Sequence, residues 1–116
     1  MKMEVYDTAN KLAEEIKNSK QYKSLKQSKE ALMSIPEKKE LIEEFERLKQ
    51  EVQVMELKRR DNKEVDDEDK KVKLARLYNV LIENKDIKEY FDNEIAFNKL
   101  MYDVNKIIGD AIRDIM

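Results

Sequence analysis

PEKKELIEEFERLKQEVQVMELKRR, residues 36–60, decides the fold. Proline holds φ near the helical value and lacks the N–H that a first helical turn leaves unpaired, so Pro36 suits a helix start while pushing Ile35 out of the helical region. Acidic residues follow at once, Glu37, Glu40, Glu43 and Glu44, where the helix dipole is positive; Lys58, Arg59 and Arg60 crowd the other end, where it is negative. Both ends define one helix of about 25 residues, roughly 37 Å long. Along it Leu41, Phe45, Leu48, Val52 and Met55 recur at alternating spacings of four and three, a short heptad seam. A seam of that length favours an antiparallel hairpin or short bundle over a long autonomous coiled coil.

The rest of the 116-residue chain agrees, and its length points to a single all-helical domain over 1–116. One Gly and one Pro are too few for the turns of a sheet protein, which leaves an all-α fold. Charged residues make up 43%, yet 24 basic against 26 acidic side chains give a net charge of only −2, and 41% apolar residues suffice for an ordered core. Val5, Ala9, Leu12, Ala13 and Ile16 line one face of a first helix from about Glu4 to Asn18. Ser19 can cap a second, shorter helix carrying Tyr22, Leu25 and Leu32, which ends at Met33-Ser34. The polar run 61–69 reverses the chain, and Asp66 or Asp67 can cap a fourth helix that buries Val72, Leu74, Leu77 and Val80 or Leu81. Asp86 with Glu89 has the spacing of a capping box for a last long helix, about 86–115.

That helix would be about 45 Å long, more than one short chain can cover. Its stripe is Phe97, Met101, Val104, Ile108, Ala111 and Ile115, widened by Leu100, Ile107 and Ile112. The expectation is that the part between Phe97 and Ile115 is buried against another protomer, so that Phe97, Leu100, Met101, Val104, Ile107, Ile108, Ile112 and Ile115 form an oligomer or partner interface. Gly109 lies beside this stripe and either allows close backbone approach or is a neutral surface glycine.

Chemistry is sparse. No Cys and no His removes thiolate nucleophiles, zinc-thiolate sites and the commonest base and metal ligand, so the chain reads as a non-enzyme with no cofactor. The acidic run 66–69 lacks the alternation and glycine of a calcium loop and reads as a solvated turn. Lys58, Arg59, Arg60 and Lys63 before the turn, with Lys70, Lys71, Lys73 and Arg76 after it, could gather at one hairpin end and hold an RNA backbone, but six acidic residues share that end and oppose the field. The tyrosines are spread along the chain and form no stacking platform; Tyr6 and Tyr90 are expected to bury a ring and keep the hydroxyl wet. A chaperone-like hairpin is a further alternative. No apolar run approaches the roughly 18 residues of a membrane span, and Met1-Lys2-Met3-Glu4 opens no signal peptide, which points to a cytoplasmic protein off the membrane.

Val5-Tyr6-Asp7 with Ala9 and Leu12, Ser19-x-x-Tyr22-x-x-Leu25-Lys26, Leu41-x-x-x-Phe45-x-x-Leu48, then Leu77, Asn84-x-x-Ile87-x-x-Tyr90-Phe91, Glu94 and Ile107-Ile108 together resemble the YlbF/YmcA family of small helical proteins, most closely its YheA-like branch. Asn62 stands where family members often place a turn glycine, and Gln53-Val-Met-Glu56 replaces a Gln-rich stretch. The resemblance implies an all-α fold, self-association through the long helices, protein partners and a firmicute-type cytoplasm. For the best-studied branch it implies regulation of competence, sporulation and biofilm formation through a complex that steers an endoribonuclease in mRNA processing. It implies no catalytic residue.

Overall fold

The computed structural model describes residues 4–61 and 68–115, which form five α-helices and, among the described residues, no strand. They are α1 (Glu4–Lys17), α2 (Lys20–Met33), α3 (Pro36–Asp61), α4 (Glu68–Leu81) and α5 (Lys85–Ala111). Asn62, Asp66 and Asp67, expected in the turn and at its cap, lie outside the described residues. The chain divides into two compact units, one of residues 31–88 and one of residues 1–30 with 89–116.

Caps explain the breaks. Ser19 Oγ accepts the Tyr22 N–H at 3.2 Å and donates to the Ile16 carbonyl at 2.6 Å, so one hydroxyl ends α1 and starts α2. Ile35 stands outside the helix before Pro36, and its carbonyl accepts the Lys39 N–H at 2.9 Å as the first bond of α3. At α5 the expected Asp86–Glu89 capping box does not form. Asn84 is the cap: its Oδ1 accepts the N–H groups of Asp86 at 3.0 Å and Ile87 at 3.2 Å. This releases the Asp86 carboxylate, which accepts from Lys38 Nζ at 3.2 Å. The last helix also stops earlier than expected, at Ala111, with a turn over 112–115.

In the 31–88 unit α3 and α4 pack as an antiparallel hairpin. Phe45 meets Tyr78 with ring centroids 6.0 Å apart and Glu51 meets Lys70 at 3.8 Å, so partners descend the sequence as α3 ascends it. Its core is Leu32, Ile42, Phe45, Leu48, Val52, Leu81 and Ile87. Phe45, Leu48 and Val52 occupy the predicted seam, but at its start Ile42 is fully buried and Leu41 is exposed. One helical residue is a rotation of about 100°, so adjacent apolar residues compete for the inside, and the partner helix selects Ile42 as it selects Leu81 over Val80.

Deleting most of a fully buried side chain costs transfer energy plus a cavity, so Ile42→Ala is expected to destabilise by about 2–5 kcal/mol. Asn84→Ala, which orphans two helix-start N–H groups, costs about 1 kcal/mol. Urea unfolding checks both: each midpoint falls at unchanged m-value, Ile42→Ala by more.

Candidate interaction surface

The second unit holds α1, α2 as far as residue 30, and α5 from residue 89 onward. Asn93 Nδ2 donates to the Ser24 carbonyl at 3.2 Å and to Ser28 Oγ at 3.1 Å, and Ser28 Oγ passes a bond on to the Leu25 carbonyl. Tyr22 meets Phe97 edge-on at 5.9 Å. These pairs run antiparallel. Because α2 begins at Lys20, two residues before Tyr22, its reach along α5 stops about half a turn beyond Phe97.

Burial along α5 follows that geometry. Tyr90 and Phe91 are buried, and Phe97, Leu100, Met101 and Val104 are half-buried. From 105 to 115 every residue is exposed, Ile107 at 70% and Ile115 at 85%, with Ile108 and Ile112 nearly half exposed. The eight-residue stripe expected from spacing is therefore split: its first four members are partly covered by their own chain, and Ile107, Ile108, Ile112 and Ile115 are the bare ones. α1 buries no residue fully. Tyr6, expected to bury its ring, is 65% exposed, whereas Tyr90 does bury its ring, with its hydroxyl 3.4 Å from Glu94 Oε2. Ile95 and Tyr102, at 63% and 66%, are exposed apolar residues that fall off the predicted stripe.

The charged edge of α5 closes on itself. Lys99 donates to Asp103 at 2.9 Å and Lys106 to Asp110 at 3.0 Å, four residues apart in each case, and Arg113 reaches back to Asp110. The hydrogen bond to Asp103, and then its charge, hold the Lys99 ammonium above the ordinary lysine pKa, with slight burial opposing them.

The basic group expected near the turn is less free than its count suggests. Lys70 pairs with Glu51 at 3.8 Å and Lys71 with Glu56 at 2.5 Å. Lys58, Lys73 and Arg76 are exposed; the side chains of Arg59 and Arg60, and Lys63, lie outside the described residues. Between α3 and α4 an open groove of about 470 Å³ is lined by Phe45, Lys49, Val52, Lys71, Leu74, Ala75, Tyr78 and Asn79, with no carboxylate among them. Among the described residues no cluster of three or more acidic side chains could hold a metal ion, and no helix is long and apolar enough to cross a membrane.

Paired helices with an uncovered apolar end define a small all-α protein. The chain belongs to the YlbF/YmcA family, described as control of competence regulator ComK, whose model matches residues 5–113. Similar proteins include a UPF0342 protein of Symbiobacterium thermophilum, 38% identical over 93% of either chain. Another, from Desulfitobacterium hafniense, is 32% identical over 98% of this chain and 89% of its own. A third, from Halothermothrix orenii, is 35% identical over 91% of this chain and 86% of its own. The family is a regulatory helical one, linked to competence control.

A Cβ at Gly109 would meet nothing within 4 Å. Gly109→Ala is therefore expected to stabilise the isolated chain by about 0.4–1 kcal/mol, read as a higher urea midpoint in dilute protein. The Lys99–Asp103 bond favours charged lysine in the folded chain, so its contribution is full below the unfolded-state pKa and disappears as pH rises through the folded one. Asp103→Asn should return the Lys99 side chain to the ordinary lysine pKa in an NMR titration.

Proposed function

We propose that the protein is a non-enzymatic, self-associating helical adaptor in competence-type regulation, acting through protein partners. The observation that carries this reading is the run 105–115, exposed throughout and bearing Ile107, Ile108, Ile112 and Ile115. A bare cluster of large aliphatic side chains on a soluble helix is a binding surface in waiting, because covering it removes apolar area from water at about 25 cal/mol per Å². Family membership supports the regulatory setting. By the same resemblance the partners belong to a complex that steers endoribonuclease-dependent mRNA processing in the cytoplasm. The alternative of direct RNA contact through the basic hairpin end is weaker, since Lys70 and Lys71 are already bound to acidic residues of α3.

Multi-angle light scattering tests the association. At micromolar concentration the expected mass is a multiple of the single chain, and Ile107→Asp with Ile115→Asp should reduce the capture of partner proteins from native-cell extract while leaving far-UV circular dichroism unchanged. A single-chain mass at every concentration would remove the self-association from this reading.

A further inference from the structure

The hairpin of α3 and α4 carries a feature that the α5 surface does not use, the open groove of about 470 Å³. Its floor reaches the core: Phe45 and Val52 are buried residues, and Leu74 and Tyr78 continue the floor onto α4. Along the α4 wall Lys71, Ala75 and Asn79 follow at spacings of four, so they form one ridge about 12 Å long. Ala75 is its low point. On the α3 wall Lys49 stands between Phe45 and Val52, four residues from one and three from the other. The result is a trough about two helical turns long, apolar at the bottom, notched on one wall and bearing an ammonium on the other.

Charge and backbone chemistry together select the occupant. Both charged residues of the lining are lysines, in a chain where acidic side chains outnumber basic ones, 26 to 24. Lys71 is held by Glu56, whereas Lys49 is half-buried and has no ion-pair partner among the described residues. An ammonium partly shielded from water attracts an incoming carboxylate more strongly than a fully solvated one does. Both walls are helices whose backbone hydrogen bonds are internal, so an extended peptide finds no edge to pair with. A helix does fit, because it seats its side chains between ridges spaced by four. The bare end of α5 from another copy is a poor match, since it brings Lys106 and Arg113, which already engage Asp110 between them. We infer that this groove receives a short acidic amphipathic helix of a different protein. Its apolar residues at i, i+3, i+4 and i+7 lie on the floor, one of them in the notch at Ala75, and a carboxylate meets Lys49. This rests on the reading of the protein as an adaptor for protein partners, and it needs no self-association.

The probe is a fluorescein-labelled synthetic peptide about four helical turns long, with leucine at those apolar positions and glutamate along both flanks. Its control carries lysine for each glutamate. In fluorescence anisotropy with the full chain at low salt, the glutamate peptide should bind at least tenfold more tightly than the lysine one. Lys49→Glu should reverse that order. Ala75→Glu, at an exposed position, should leave far-UV circular dichroism unchanged and weaken the glutamate peptide at least tenfold, by filling the notch and adding a carboxylate. Equal affinity for the two peptides, or affinity that neither substitution moves, overturns the assignment. Tighter binding of a single-stranded RNA oligonucleotide than of the glutamate peptide does the same. Loss of self-association by Ala75→Glu in light scattering gives the groove to a second copy and also overturns it. The adaptor reading is judged separately: a wild-type chain that captures no specific protein from native-cell extract overturns that reading. Capture that survives Ala75→Glu but is lost in Ile107→Asp with Ile115→Asp keeps the adaptor reading and overturns the groove.

Discussion

Everything distinctive about this molecule depends on where α2 meets α5. The Asn93 amide spans the Ser24 carbonyl and the Ser28 hydroxyl, and the Tyr22–Phe97 edge contact follows one turn further on. Amide donors to a backbone carbonyl are directional, so these bonds fix the antiparallel register, not merely the proximity, of the two helices. Once that register is set, α2 covers α5 to about half a turn beyond Phe97, and burial along α5 ends at half-buried Val104, after which every described residue is exposed.

The 31–88 unit shows the contrasting case. Here α3 has α4 as an antiparallel neighbour, joined to it by Phe45–Tyr78 and Glu51–Lys70, Lys38 reaches Asp86 in the first turn of α5, and most of the fully buried apolar residues among those described lie in this unit. Its ion pairs are exposed and worth little each in stability. Their consequence is electrostatic: cations that look available in sequence are committed to carboxylates across the hairpin. The same local neutralisation occurs along α5, and it explains how a chain this rich in charge presents surfaces where apolar contact governs.

Most helix boundaries were legible because they are local. Ser19 and Pro36 act within one turn of themselves, and the structure places breaks at both. What was not legible required a partner. Spacings of three and four mark an apolar face, but whether Leu41 or Ile42, Val80 or Leu81 points inward is settled by the opposing helix. Asp86 reads locally as a cap; its carboxylate is instead drawn to Lys38, far away in sequence, and Asn84 takes the terminus. On the candidate surface, spacing marked the whole stripe from Phe97 to Ile115 as one face, and only the packed structure separates its half-buried members from Ile107, Ile108, Ile112 and Ile115. Ile95 and Tyr102 escaped a search for apolar periodicity because Asn98 and Asn105 interrupt it.

The ladder of Lys99–Asp103 and Lys106–Asp110 on α5 has a meaning for the speed and specificity of recognition. Short helical segments without tertiary cover melt, because each ordered residue gives up backbone freedom. Pairs four apart add a few tenths of a kcal/mol each; Lys106–Asp110 sits on the uncovered stretch and Lys99–Asp103 just before it. The surface is thereby shaped before anything arrives. For the partner contact proposed above, a helix already formed loses less entropy on docking than a coil that must first be ordered.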